Sequence, residues 1–213
     1  MKIRPADTRG VMQKSWITSL RTFSNNDYWN PRYMNWGSLK VINDDTQQPG
    51  GCVPNHEHKN YDIFGYIVSG TLKHTDSLGN NVVAQAGQIQ HMWAGSSIWH
   101  TESCVGNTPA RYLQIWFTPN RELNSKPYYN LYNKAAEFGP IDIPIHCDMS
   151  AYGGVLTDSL ELGPSYVYVV DGTGVIDNIA ISTGDGAEIT DSALISPVED
   201  LHILVFKPAK FLS

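Results

Sequence analysis

The chain has 213 residues, 41% hydrophobic and 17% charged, enough apolar material for one large all-β domain or two modest ones. Its net charge of −6 argues against a surface built for nucleic acid, because phosphate binding needs clustered Lys and Arg. No apolar run approaches the ~20 residues of a membrane span, and the opening Met1-Lys2-Ile3-Arg4 lacks the hydrophobic core of a secretory signal.

Three cysteines (Cys52, Cys104, Cys147) without framework spacing point to free thiols and a cytoplasmic address. Six Trp and eleven Tyr, with 18 Gly and 12 Pro, favour strands and tight turns over helices. Residues 1–37, aromatic and polar around Trp16, Phe23, Tyr28 and Trp36, read as an irregular arm. Ser38–Asn43 reads as a strand closed by Asp44-Asp45, and Gln48-Pro49-Gly50-Gly51 as a turn.

The next segment carries His56-Glu57-His58. On an extended chain, alternate side chains share a face, so both imidazoles point one way about 7 Å apart. Asp62–Val68 reads as a buried strand. A hairpin joins Thr71–Thr75 to Asn81–Ala84 across Ser77-Leu78-Gly79-Asn80. Gln88–Trp93 follows, and Ile98–Cys104 carries His100-Thr101-Glu102 with the same spacing as the first pair. If these two strands are neighbours, His56, His58, His100 and Glu102 offer three ring nitrogens and a carboxylate to one ion. Such mixed ligation suits iron, nickel, manganese, copper or zinc. The other reading of Glu102 is a hydrogen bond to a ligating histidine.

His74 and His91 stand alone on strands and read as ordinary polar positions. Asp62 is a weaker candidate for contact with a ligand or substrate. Trp93, Trp99, Phe64 and Tyr66 either line an aromatic pocket or fill the core. Arg111–Thr118 is a strong apolar strand. Beyond it, polar Pro119–Pro127 is the natural linker. Val155–Leu162, Tyr166–Val170, Gly174–Ile181, Ala187–Ile189 and His202–Phe206 look like strands of a second β module, separated by Gly172, Gly184 and Gly186. That module has only the scattered His146 and His202, so the metal site belongs to the first half. Expected domains are 1–120, a linker at 121–127, and 128–213.

Gly50-x5-His56-x-His58-x3-Asp62-x7-Gly70 resembles the first cupin motif, and Gly87-x7-Gly95-x4-His100 the second. More narrowly, residues 55–63, 70–80 and 92–102 resemble the pirin family, and Ser15–Ser24 is similar to the amino-terminal signature of its bacterial members. The resemblance implies an all-β bicupin of antiparallel jelly-roll barrels. Only the amino-terminal barrel then holds metal, with the four ligands on His56, His58, His100 and Glu102. It implies one divalent transition metal, iron(II) first, with nickel, manganese, copper, zinc or cobalt as alternatives. The chain departs from the family pattern at Glu57, usually Pro, at Asp62, usually Glu, and at Ser97, usually Gly. None of these removes a ligand; they change the pocket walls. The carboxy-terminal module is short for a cupin and reads as a reduced barrel that borrows a strand from the amino-terminal arm.

The implied activity is that of a quercetin 2,3-dioxygenase. The metal chelates a flavonol or enol, dioxygen opens the ring, and Glu102 is the catalytic base. Partners are then a small molecule and O2, with neither nucleic acid nor membrane. The alternative is a metal- or redox-sensing module with an occluded pocket, acting through a protein partner. A sugar or small-acid isomerase is a third reading of the same barrel.

Overall fold

The computed structural model describes residues 1–122, 124–134 and 136–209; Leu123 of the expected linker, Ala135, and residues 210–213 of the expected carboxy-terminal module lie outside them. Apart from one 3-10 turn, Ala6–Thr8, the described residues form no helix, and none is long and apolar enough to cross a membrane. The chain divides into two compact units, Gly10–Asn133 with Ile145–Cys147, and Met1–Arg9 with Lys134–Pro144 and Asp148–Ser213.

In chain order the first twelve strands are β1 (Lys2–Arg4), β2 (Gly10–Lys14), β3 (Ile17–Arg21), β4 (Leu39–Gln47), β5 (Cys52–His58), β6 (Asp62–Ser69), β7 (Thr71–Asp76), β8 (Asn81–Gln85), β9 (Gln88–Trp93), β10 (Ile98–Cys104), β11 (Ala110–Phe117) and β12 (Tyr128–Asn133). All but β1 build the amino-terminal unit. Seven strands form one sheet in the order β12-β9-β6-β11-β4-β3-β2, and four form another in the order β5-β10-β7-β8. Ile67, Leu72, Ala84, Cys104 and Tyr112, drawn from both sheets, pack together, which shows that the sheets face each other. Ile63, Met92 and Ile98 form a second apolar cluster between them.

Three differences from the sequence reading have physical causes. The arm is not irregular throughout: β2 and β3 pair as a hairpin, and β3 pairs with β4. β4 does not stop at Asp44-Asp45, because Arg111 Nε and Nη2 each lie 2.9 Å from the Asp44 carboxylate and Asp45 turns inward. β12, expected beyond the linker, pairs with β9 in the amino-terminal unit, where the Tyr129 hydroxyl donates to Gln90 Oε1 at 2.9 Å.

The carboxy-terminal unit adds β13 (Gly139–Ile141), β14 (Met149–Val155), β15 (Leu160–Leu162), β16 (Ser165–Ile176), β17 (Ile179–Ser182), β18 (Gly186–Ile189) and β19 (Ala193–Pro208). Its main path is β1-β18-β16-β19-β14-β13, with β15 on β19 and β17 on β16. Lys2–Arg4 is thus a borrowed edge strand, in register with Gly186–Glu188. Leu162, Val167, Val169, Ile195, Ile203 and Val205 belong to an aliphatic core. Gly172, read as a break between strands, lies inside β16 at φ +87°, where a Cβ would come within 2.3 Å of the Asp200 carbonyl. The β16–β19 register shifts around it, so the glycine marks a bulge that bends a continuous strand.

Candidate metal centre

The site is built on two adjacent strands. β10 alternates strictly, burying Ile98, His100, Glu102 and Cys104. β5 runs antiparallel to it with His56 opposite His100 and His58 opposite Ile98. Between His100 and Glu102 the register slips, and the single residue Thr101 faces both Pro54 and Asn55. This bulge suits a proline, which cannot donate to the ladder.

One ring nitrogen each from His56, His58 and His100 lies within 4.8 Å of the other two. Glu102 falls into a different group of that size, with His100 and His74. The expected three histidines are therefore gathered, while the Glu102 carboxylate sits beside them against Gln114, whose Nε2 donates to Oε2 at 2.5 Å.

Hydrogen bonds to the far side of the rings fix where the lone pairs point. His56 Nδ1 lies 2.9 Å from the Pro54 carbonyl, which can only accept, so Nδ1 carries a proton and, in the neutral tautomer a metal ligand needs, Nε2 is bare. His74 Nε2 lies 2.9 Å from Asp76 Oδ2, and His74 Nδ1 lies 3.4 Å from His100 Nδ1. With a carboxylate at one end, His74 is protonated on Nε2, its bare Nδ1 accepts from His100, and His100 Nε2 is also bare. The two bare Nε2 atoms are 3.1 Å apart. Facing lone pairs at that distance repel unless a cation lies between them. Ring nitrogens bound at right angles about 2.1 Å from one metal are separated by ~3 Å. These residues fit a transition metal.

Electrostatics agree. Burial, reinforced by His56, pushes His58 down to about 4. Burial, then His56, His58 and His74, pushes His100 down to about 2. Both rings are neutral at physiological pH and free of proton competition. Burial and the nearby Asp45 charge raise Glu102 to about 8, against the Gln114 hydrogen bond. An adjacent cation favours its ionised form. Burial also pushes His74 down, against Asp76. Asp76 is itself raised by burial, but bonds from His74, Asn80 and Leu78 prevail and hold its carboxyl below the usual range.

A cavity of about 440 Å³, in the range of small-molecule sites, opens beside the histidines. Its aromatic residues are Trp16, Tyr112 and Trp116. The expected aromatic set does not line it. Phe64, Tyr66 and Trp93 are buried in the core, and Trp99 is 44% exposed. Asp62 does not line it either. Fully buried, it lies 2.9 Å from His91 Nε2 and accepts from the His146 backbone N–H at 2.6 Å. Two departures from the family pattern meet at the rim, where the Ser97 hydroxyl donates to Glu57 Oε1 at 2.6 Å.

His74, Asp76 and Gln114 are the residues that sequence reasoning missed. The His74-x-Asp76 spacing on a hairpin strand was the available signal, since it repeats the alternation that marked the candidate ligands. For Gln114, buried in an apolar strand, no such signal existed.

A family model described as Pirin matches residues 4–117. The chain is 32% identical to a quercetin 2,3-dioxygenase of Escherichia coli K12, covering 96% of both. It is 31% identical to a pirin-like protein of Caulobacter vibrioides, covering 97% of this chain and 98% of that one. A crystal structure of the bacterial pirin YhhW from Escherichia coli in complex with nickel(II) superimposes with a TM-score of 0.88 at 30% identity, covering 96% of this chain and 97% of that one. With its antiparallel bicupin architecture and histidine-lined cavity, the chain belongs to the pirin family.

Proposed function

We propose that this protein is a metal-dependent dioxygenase of the quercetin 2,3-dioxygenase type, acting on a flavonol or enol. His56, His58, His100 and Glu102 hold one divalent transition metal, iron(II) in the first place. The observation that carries this reading is the pair of bare Nε2 atoms, His56 and His100, facing each other at 3.1 Å on the wall of the cavity. The names of full-length relatives at about 32% identity support the reaction class.

When bound, the metal would supply the Lewis acidity that makes a chelating hydroxyl acidic, and the deprotonated substrate supplies the electrons that reduce dioxygen. The remaining roles belong to the chain. Trp116, edge-on to His58 with ring centroids 4.8 Å apart, gives a planar substrate an apolar face beside the histidines. Glu102 takes the substrate hydroxyl proton on its carboxylate, and Gln114 holds that carboxylate in place. Burial of Glu102 keeps bulk water from taking the proton instead. Asp76, through His74, keeps the proton of His100 on Nδ1. Pro54 and Glu57 line the cavity and are exposed, so it reaches solvent as a substrate site must. The occluded pocket of a purely regulatory module is a poorer match.

The test is oxygen uptake with quercetin by protein loaded with iron(II) or nickel(II). Uptake dependent on metal is expected, reduced about 100-fold or more in Glu102→Gln, on the scale of general-base contributions. Fully loaded protein that consumes no oxygen would overturn the reading.

A further inference from the structure

Opposite the histidines, β3, β4 and β11 align two rows of side chains across the larger sheet. Asp45 lies between Ser19 and Tyr112, and Asn43 between Arg21 and Gln114. The period of two along each strand brings all six to the cavity, which they line.

Three oxygens in these rows find no hydrogen-bonding partner among the described residues: Asn43 Oδ1, Asp45 Oδ1 and the Tyr112 hydroxyl. Their residues are 7%, 7% and 0% exposed. Buried polar atoms of this kind are rare in native proteins and costly when unmet, so a cluster of three on one cavity wall calls for an occupant. The neighbours are already engaged. Gln114 donates to Glu102 and accepts from Trp116 Nε1 at 3.1 Å, and the Ser19 hydroxyl bonds Asp45. Of the three open atoms, the Asn43 amide oxygen only accepts, the Tyr112 phenol does both, and the Asp45 carboxyl accepts when ionised and can also donate when protonated. The group all three can meet is a hydroxyl, which donates to Asn43 and can donate to or accept from the other two. An anionic group would meet the carboxyl groups of Asp45 and Glu102, and the Arg21 guanidinium on the same wall is already paired with Asp27 and the Asn25 carbonyl. The Tyr112 and Trp116 rings favour a flat, apolar body.

We propose that Asn43, Asp45 and Tyr112 form the specificity wall of the cavity, and that the natural substrate is an uncharged aromatic compound carrying at least two hydroxyl donors on the part remote from the metal. This deepens the dioxygenase reading and rests on it for the reaction, though not for recognition of the hydroxyls.

Two arms keep the claims apart. In the first, resorcinol and 1,3-dimethoxybenzene, which share a ring but differ in donors and do not chelate, are titrated by tryptophan fluorescence and heteronuclear NMR. The metal-loaded wild type, Tyr112→Phe and Asn43→Leu are compared. Resorcinol should bind about tenfold tighter to wild type, from one to two hydrogen bonds, with shifts at residues 43, 45 and 112. The preference should fall several-fold in each variant. Tyr112→Phe removes only the unpartnered hydroxyl, so it answers the question even if Asn43→Leu does not fold. In the second arm, oxygen uptake is measured with quercetin and with 3-hydroxyflavone, which share the chelating pair but not the remaining hydroxyls. A higher kcat/KM for quercetin that Tyr112→Phe erodes through KM is expected. No preference for resorcinol overturns the wall, whether or not flavonols are consumed. A preference that Tyr112→Phe lowers, without oxygen uptake on either flavonol, keeps the wall and overturns the dioxygenase. Uptake at equal kcat/KM with no resorcinol preference keeps the dioxygenase and overturns the wall. Failure of both arms overturns both.

Discussion

The two units of this chain fill their interiors differently. The carboxy-terminal unit packs Leu, Val and Ile, and of the buried polar side chains among the described residues only Arg4 and Ser165 belong to it. The amino-terminal unit buries His58, His74, His91, His100, Asp45, Asp62, Glu102 and Asn43. Each unpartnered buried oxygen there costs about 1–3 kcal/mol, and a buried ionisable group pays a desolvation penalty as well. One interior is shaped mainly by apolar packing. The other keeps lone pairs available at a standing expense in stability, as expected where binding chemistry is done.

That contrast can be broken by measurement. In the aliphatic unit, Ile203→Ala should cost about 2–5 kcal/mol in urea unfolding, as for other fully buried side chains. Metal content of the folded protein should not change. A loss below ~1 kcal/mol would mean that this core is loosely packed and the contrast overstated.

In the polar unit the expected sign reverses. Burial pushes Asp45 up to about 7, from an ordinary 3.8, with the Asp44 charge adding to the rise. The native state therefore holds this proton more tightly than the unfolded chain, and stability falls as pH climbs from about 4 through 7. Asp45→Asn stays neutral, so its stability relative to wild type should improve over that window and level off above it. About 4 kcal/mol is the ceiling set by the roughly three-unit shift. Melting curves of metal-free wild type and variant across pH check this; a constant difference would show that Asp45 is ionised in the fold throughout.

A smaller effect separates positioning from packing. In Asp76→Asn, Oδ1 still accepts from the Leu78 and Asn80 backbone N–H groups, as Asp76 does at 2.9 and 3.1 Å. The new amide presents N–H to His74 Nε2, however, which reverses the relay and moves a proton onto His100 Nε2. Metal affinity should fall about 10–100-fold, the usual range for partners of ligating histidines. Competition with a chelator reads the affinity, and NMR of the ring nitrogens reads the tautomer. Unchanged tautomers would remove Asp76 from the relay.

The gathering of His56, His58 and His100 was legible in the sequence because alternation along a strand survives folding: it needed only the pairing of β5 with β10, while Glu102 falls beside that group rather than in it. The opposite wall was not. Asn43-Asp44-Asp45 reads as a strand terminator, since isolated carboxylates avoid sheets. Here Arg111 neutralises Asp44 and the cavity receives Asp45. Gly172 misled for a related reason, because turns and bulges draw on the same residue and only the partner strand distinguishes them.

The segregation of the candidate ligands and the proposed wall onto opposite sheets has a consequence for how such a protein diversifies. All three imidazoles ride on one pair of hydrogen-bonded strands, so sliding or spreading of the facing sheet alters the width of the cleft without disturbing their mutual angles. Appetite for new molecules can drift while the reactive centre stays constant. The Gln114–Glu102 hydrogen bond is where the two become mechanically linked, and there a change of diet would be felt by the chemistry.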